Sequence, residues 1–130
     1  MSNKIVGKYF ERSNKDMMYL GFNDACLTFT VQFHRHMLDD LCESVITALP
    51  HGYNNFEAQK FVEEFNQIRD KVLFVEFGRE SSPVCYIVFN SEVTKQEATR
   101  IMKSFSYADE RSIRKDDTYT ECYKIRLWWD

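Results

Sequence analysis

The chain has few glycines and prolines, the residues that interrupt helices and strands, and it has no stretch that could cross a membrane. Its 130 residues include 4 Gly and 2 Pro, a balance opposite to that of disordered chains. No apolar run approaches the ~18 residues that a membrane helix requires. The first residues, MSNKIVGKYFERSNKDMM, also lack the apolar core of a signal peptide. We therefore expect an ordered cytoplasmic protein with no membrane contact.

Glycine is too scattered to build a phosphate-binding loop. It occurs at positions 7, 21, 52 and 78, and neither G-x-G-x-x-G nor the P-loop pattern is present. The G-x-S-x-G pattern of serine hydrolases and the C-G-x-C-W pattern of cysteine proteases are also missing. The sequence therefore predicts no cofactor. It favours a function without catalysis, and an enzyme stays an alternative.

The cysteines lack the pairing that metal sites and redox sites use. Cys26, Cys42, Cys85 and Cys122 form no C-x-x-C motif. Cys42 lies on an apolar helical stripe and Cys85 in an apolar strand, so both fit a core. A chain with this much core needs no disulfide framework, so we expect reduced thiols in a cytosolic protein.

No sign of charge dominates the chain. It has 17 basic and 20 acidic residues and a formal net charge of −3, which argues against a general DNA-coating role. The charges are nevertheless segregated, with an acidic excess between Asp39 and Glu80 and a basic excess between Lys95 and Lys115. Such a molecule can orient itself on a charged partner.

Apolar and aromatic residues, by contrast, are plentiful. The chain is 44% hydrophobic and 15% aromatic, with 11 Phe and 7 Tyr. At this length one domain can bury roughly two thirds of its unfolded surface. We therefore expect residues 1–130 to form a single domain with its own core.

The apolar pattern twice predicts a hairpin followed by a helix. At 17–33 two apolar stretches flank a polar turn, and 37–49 has the three- and four-residue spacing of an amphipathic helix. The same order recurs at 72–89 and 94–105, where the helix opens with the capping-box pattern T-x-x-E. The residues of the two units do not match closely, so an internal repeat stays open.

Three further segments complete the prediction. Helical spacing marks 54–68, with Asn54 as the expected N-cap. Residues 106–117 are expected to form an exposed loop, and 118–129 a last strand. The predicted order is β-β-α-α-β-β-α-β, with an optional edge strand within residues 1–16. This pattern predicts an α+β fold in which three helices cover a mainly antiparallel sheet of four to six strands.

The second hairpin has strands that are apolar on both faces. Residues 72–77 and 84–89 carry one charged side chain, Glu76. Strands of this kind are usually central and covered on both sides, or shielded by an interface. A homodimer that shares its sheet therefore stays an alternative.

The basic segment is the best candidate for contact with nucleic acid. It carries six cations against three carboxylates. Phe105 and Tyr107 lie among the cations, where their rings could stack on bases. A solvated helix face with a loop would show the same composition. The cations of this candidate are Lys95, Arg100, Lys103, Arg111, Arg114 and Lys115.

The terminal strand provides a candidate contact with a protein partner. Trp128 and Trp129 are adjacent and must point to opposite faces of a strand. Trp129 shares the apolar face of Ile125 and Leu127, which leaves Trp128 beside Lys124 and Arg126. An exposed Trp flanked by cations is a common interface anchor, so we predict partner binding by Trp128, Lys124 and Arg126.

Two histidines provide the candidate metal site. His34 and His36 follow the strand at 27–33 at a spacing of two, with Asp39 and Asp40 close behind. Imidazoles and carboxylates can hold zinc or another divalent ion. Surface histidines near the start of a helix would give the same pattern, and a metal site needs a third protein ligand.

These patterns favour stoichiometric binding of a macromolecular partner, most readily a protein. The size and character of the chain suit a regulator or inhibitor, including one from a virus or mobile element. The alternatives are a nucleic-acid-binding module that uses the basic segment, and a metal-dependent hydrolase or nuclease around His34 and His36.

Overall fold

A computed structural model describes residues 13–23, 28–105 and 107–130 of the chain. Two short 3-10 turns, at Arg35–Met37 and Arg69–Lys71, precede a helix and a strand. The helices and strands of the described residues are α1 (Asn14–Asn23), β1 (Thr28–His34), α2 (Leu38–Ala48), α3 (Ala58–Asn66), β2 (Val72–Glu80), β3 (Ser82–Phe89), α4 (Lys95–Ser104), β4 (Glu110–Lys115) and β5 (Tyr123–Trp128).

The strands form one antiparallel sheet in the order β1-β2-β3-β5-β4. Alternate residues of each strand point to the same face, and the two faces differ. One face packs against the helices, because Phe33, Phe77 and Ile125 share a buried cluster with Leu41 of α2 and Phe61 of α3. The predicted α+β class is confirmed, although four helices rather than three lie within the described residues.

Aromatic rings fill the centre of the core, as the composition predicts. Trp129 packs edge-on against Phe56 at 4.8 Å between ring centroids and against Phe61 at 5.9 Å. Phe77 of β2 contacts both phenylalanines at 5.4 Å. Edge-to-face pairs of this kind add to the stabilisation that comes from buried area alone. Trp129, two positions beyond Leu127, is therefore a core residue.

The first predicted strand is wrong, because residues 14–23 form α1. The period-two pattern of Met18, Leu20 and Phe22 also contains a four-residue spacing, and Met18 is fully buried. Ser13 accepts a hydrogen bond from the amide of Asp16 at 3.2 Å and caps the helix. The sequence signal S-x-x-D for a helix start lay in a stretch interpreted as a polar loop.

The predicted loop at 106–117 is also wrong, because it contains β4 from Glu110 to Lys115. This strand is mostly exposed and has one partly buried side chain, that of Ile113. Its pairing with β5 is a tertiary contact that the local pattern does not reveal. The last strand is shorter than predicted, because the Asp116 carboxylate accepts hydrogen bonds from the amides of Thr118 and Tyr119 and holds these residues in a turn.

Two predicted local features have opposite outcomes. The Thr94 hydroxyl accepts a hydrogen bond from the amide of Glu97 at 3.1 Å, so Thr94 is the N-cap of α4, while the Glu97 carboxylate pairs with Lys71 rather than completing a capping box. Asn54 does not cap α3, since it lies in a turn with a positive φ of 52° and the helix starts at Ala58. The hairpin of β2 and β3 turns at Ser81 and is tighter than expected.

The predicted N-terminal edge strand and the turn residue Asp24 lie outside the described residues. The predicted turn partner, Asn23, is the last residue of α1. No helix of the described part is long and apolar enough to cross a membrane.

Candidate functional site

The face of the sheet opposite the helix-packed core is polar across most of its width. Its side chains include Thr30 and Gln32 of β1, Glu76 of β2, Tyr86 of β3 and Arg126 of β5. We call this surface the open face. A shallow depression of about 320 Å³ on it is lined by groups of both charge signs, among them Glu76, Glu80, Arg114 and Lys124.

Arg126 lies at the centre of a charged network on the open face. Its Nη2 atom is 2.9 Å from Glu80 Oε1, and its Nη1 atom is 3.2 Å from Glu110 Oε1. The hydroxyl of Tyr86 donates to the second oxygen of Glu80. Although burial alone would raise the pKa of Glu80, the hydrogen bonds from Tyr86 and Arg126 lower it overall. The predicted partner-binding residue Arg126 therefore already has two carboxylate partners within the chain.

Lys124 is also paired within the chain. Its Nζ atom is 3.4 Å from Asp116 Oδ1, and both side chains are largely buried, at 11% and 5% exposed. Burial would raise the pKa of Asp116, but the amides of Thr118 and Tyr119 and the ammonium of Lys124 lower it overall. This pair anchors the turn that leads into β5.

Trp128 lies on the open face, on the side of the strand opposite Trp129, as the alternation predicts. Its indole Nε1 donates to the backbone oxygen of Glu80 at 2.9 Å, and the side chain is half-buried. Trp129 is 3% exposed and belongs to the core. Together with Lys124 and Arg126, Trp128 forms a continuous patch whose polar groups are held by contacts inside the chain.

The cations of the basic segment divide between the two sides of β4. Those on α4 face outward along a broad depression of about 990 Å³. Arg111 joins the two elements, because its Nη1 atom donates to the backbone oxygen of Lys103 at 3.3 Å. Arg114 points to the open face, where it lines the same depression as Lys124. Its guanidinium is 4.0 Å from Asp117 and is 62% exposed.

We define the basic surface as Lys95, Arg100, Lys103, Arg111 and Lys115, all of which are exposed. Arg100 lies 3.5 Å from Glu97, whose carboxylate also pairs with Lys71. The other four cations have no carboxylate within 4.0 Å among the described residues. Lys115 instead lies 4.5 Å from the ring centroid of Tyr123. Sequence reasoning found these residues but could not show that α4 and β4 lie side by side.

Tyr107 lies between α4 and β4 and is the most exposed aromatic side chain of that region, at 53%. The ammonium of Lys60 lies 3.5 Å from the centroid of its ring. The two line a small pocket together with Phe61 and Glu64 of α3 and with Trp129. Phe105, the other predicted stacking residue, is fully buried and is a core residue. The prediction that Phe105 stacks on bases is therefore wrong.

The two candidate metal-binding histidines lie next to each other at the end of β1. The rings of His34 and His36 are nearly parallel, with centroids 6.2 Å apart, and both side chains are exposed. Asp39 pairs with Arg69 at 2.7 Å. No group of three His, Cys, Asp or Glu side chains that could hold a metal occurs in ranges 13–23, 28–105 and 107–130. The metal hypothesis stays a prediction that elemental analysis of the purified protein can test.

The described cysteines are free thiols in the protonated form. Cys85 is fully buried, and burial raises the pKa of its thiol well above the ordinary value. Burial also raises the pKa of Cys122 and of Cys42. A thiol needs a lowered pKa to act as a nucleophile at neutral pH. These three positions therefore have the character of core cysteines, as the sequence pattern indicated for Cys42 and Cys85.

No family model, curated protein or solved structure matches this chain.

Proposed function

We propose that the protein binds a protein partner stoichiometrically through the basic surface. The single observation that carries this proposal is the set of four exposed cations on α4 and β4 that have no carboxylate within 4.0 Å in the described part of the chain. Among the other described cations, Arg69, Lys71, Lys124 and Arg126 are paired with carboxylates. Arg35 and Arg79 are unpaired as well among the described residues, but they do not lie on adjacent elements with other unpaired cations. Unpaired like charges on adjacent elements repel each other, and an acidic partner would remove that repulsion.

A regulator or inhibitor would act in this way, including one from a virus or mobile element. In this proposal the protein works in the cytoplasm, which the free thiols of Cys42, Cys85 and Cys122 support, because thiols stay reduced there. The patch of Trp128, Lys124 and Arg126 is the partner contact that the sequence predicted, and in this proposal it is a second contact beside the basic surface. Its polar groups are engaged within the chain, so binding there would depend mainly on the indole.

A pull-down of the tagged full chain from host lysate tests the proposal when it compares matched variants. Lys103→Glu reverses an unpaired exposed charge within the basic surface. Arg35→Glu reverses another exposed cation for which no ion pair occurs among residues 13–23, 28–105 and 107–130. We expect Lys103→Glu to lose a partner that the wild type and Arg35→Glu retain at stoichiometric level. Equal retention by both variants would overturn the proposal.

A nucleic-acid-binding module is the second candidate, and one observation favours it. Tyr107, in the connection between α4 and β4, exposes an aromatic ring next to the ammonium of Lys60, and an exposed ring near cations suits single-stranded nucleic acid. This function predicts affinity for an oligonucleotide that falls steeply with salt. It also predicts that nuclease treatment of the lysate removes the partners. Partners that survive nuclease at stoichiometric level would instead support the protein-binding proposal.

A further inference from the structure

We propose that the partner contributes an extended acidic segment that adds to the sheet as a sixth strand along the outer edge of β4, which no described strand covers. This inference rests on the proposed protein-binding function and makes it specific. The sheet order places β4 at one edge, and β4 pairs with β5 on its other side. A free edge offers backbone N–H and C=O groups that an extended peptide can pair with.

The hydrogen bonds around β5 show which backbone groups of β4 point outward. The amide of Trp129 donates to Pro83 at 3.1 Å, so odd-numbered residues of β5 bond to β3 and even-numbered ones to β4. The amide of Asp116 donates to Cys122 at 2.9 Å, which agrees with this alternation. In this register the N–H and C=O groups of Arg111, Ile113 and Lys115 point away from β5.

The opposite edge of the sheet is less suited to adding a strand. There Asn14 of α1 donates its side-chain amide to the backbone oxygen of Gln32 at 3.2 Å. This contact occupies an outward-pointing acceptor of β1 and brings a helix close to that edge. Charge also distinguishes the two edges. β1 carries no acidic or basic residue other than His34, whereas β4 has three cations and one carboxylate.

The side chains of β4 specify the sequence of the added strand. Arg111, Ile113 and Lys115 share the face that α4 also covers, and Ile113 between them is partly buried. A partner strand places one residue opposite each of these positions. The best match is therefore an apolar residue opposite Ile113 with acidic residues two positions before and after it.

A second copy of this chain is a poorer occupant than an acidic peptide. Antiparallel joining of two copies along β4 would continue the sheet with both basic surfaces on the same face. The exposed cations Arg111 and Lys115 of each β4 would then lie beside those of the other copy. Repulsion of like charges opposes such an association.

Amide hydrogen exchange on the full chain tests strand addition directly. The probe is a short synthetic peptide with glutamates at alternate positions around a central valine, and its control is a scrambled peptide of the same composition. In the free chain we expect slow exchange at Ser112 and Arg114 and fast exchange at Arg111, Ile113 and Lys115. The probe should slow exchange at these three amides by roughly tenfold or more. Binding that leaves these amides unprotected would overturn strand addition and leave the proposed function standing.

A pair of variants at Ile113 separates the backbone contribution from that of the side chain. Ile113→Ala and Ile113→Pro both remove the side chain, but the proline also removes the outward N–H. Sheets accept proline at an edge where its nitrogen faces outward, so the pairing with β5 should survive. We expect Ile113→Pro to bind the probe at least about tenfold more weakly than Ile113→Ala, since it cannot form that hydrogen bond. Equal affinities would overturn the inference, and slow exchange at Ser112 verifies the fold of each variant.

Charge variants distinguish failure of this inference from failure of the proposed function. If Lys103→Glu and Lys115→Glu weaken binding while Ile113→Pro matches Ile113→Ala, the basic surface stands and strand addition falls. If none of these variants weakens binding, both fall. Binding of the scrambled peptide as tightly as the probe would overturn the sequence pattern.

Two further outcomes would also overturn the inference. Tighter binding of an oligothymidylate than of the probe at the same salt concentration would favour the nucleic-acid function. A dimer in sedimentation, with the three outward amides protected in the free chain, would assign the edge to a second copy.

Discussion

Arg126 of β5 and Glu80 of β2 form an ion pair that passes over the strand between them. Arg126 Nη2 lies 2.9 Å from Glu80 Oε1, and Tyr86 of the intervening β3 donates to the same carboxylate. The two charged side chains are 28% and 32% exposed, so water screens the pair only in part. Three strands are therefore tied together on the face that no described helix covers.

We expect Arg126→Ala to lower the free energy of unfolding by about 1–2 kcal/mol, because it leaves a partly buried carboxylate without its charged partner. Urea denaturation followed by circular dichroism measures the change. Arg114→Ala is the matched control, since Arg114 is 62% exposed and lies 4.0 Å from Asp117. Exposed pairs of this kind contribute little, so its effect should stay below about 0.5 kcal/mol. Equal losses in the two variants would contradict the structural role of Arg126.

The carboxylates of Glu80 and Asp116 should make the fold sensitive to acid. Burial opposes their ionisation, but accepted hydrogen bonds outweigh it and hold the pKa of each below its ordinary value in the folded chain. The unfolded chain therefore binds protons at a higher pH than the folded chain does. The stability they contribute is present above the ordinary carboxyl pKa, and it is lost as pH falls through the folded pKa.

Urea midpoints measured from neutral pH down to about pH 3 test this dependence. We expect Asp116→Asn to lower stability at neutral pH and to flatten the acid limb, because the residue no longer titrates. Asp117→Asn is the control, because this neighbouring carboxylate is 82% exposed. An acid limb as steep in Asp116→Asn as in the wild type would exclude Asp116 as a source of the pH dependence.

Gly78 of β2 should not tolerate a side chain. A Cβ atom there would lie 2.0 Å from the carbonyl oxygen of Phe29 and 2.7 Å from the Cα atom of Thr30. Both atoms belong to the backbone of β1, which would have to move away. We expect Gly78→Ala to cost about 1–3 kcal/mol, as overpacking does. Thermal unfolding measures this loss, and Ser112→Ala on the exposed edge should leave the melting temperature nearly unchanged.

The adjacent tryptophans should differ sharply in their contribution to stability. Trp129→Ala opens a cavity among Phe56 and Phe61, and we expect a loss of about 3–5 kcal/mol. Trp128→Phe keeps an aromatic ring and loses the hydrogen bond to Glu80, so a loss of about 1 kcal/mol is expected. Chemical denaturation compares the two. A larger loss of stability for Trp128→Phe would contradict the assignment of Trp129 to the core and of Trp128 to the open face.

Trp128→Ala tests the predicted second contact. The folded variant should retain the partner captured through the basic surface but bind it more weakly if the terminal strand also takes part. An affinity equal to that of the wild type would remove Trp128 from the interface.

The sequence predicted local structure correctly where a residue type has one physical role. Thr94 and Glu97 specify the start of α4 because the hydroxyl can accept the amide three residues on. Met18 was misread because three alternating apolar residues fit a strand as well as one helical turn. The cations of β4 were found, but their arrangement was not, because an edge strand with charged side chains has the local pattern of a loop.

The sequence by itself determined the α+β class, the core side of most elements and the opposite orientations of Trp128 and Trp129, because apolar periodicity follows from backbone geometry. The tertiary structure decided that β5 lies between β3 and β4 and that Arg126 reaches Glu80, which is 46 positions away in the sequence. It also placed Lys103 beside Arg111 and left the outer edge of β4 without a partner strand among the described residues. Pairing between distant strands depends on complementary surfaces of the whole sheet, and no local pattern encodes it.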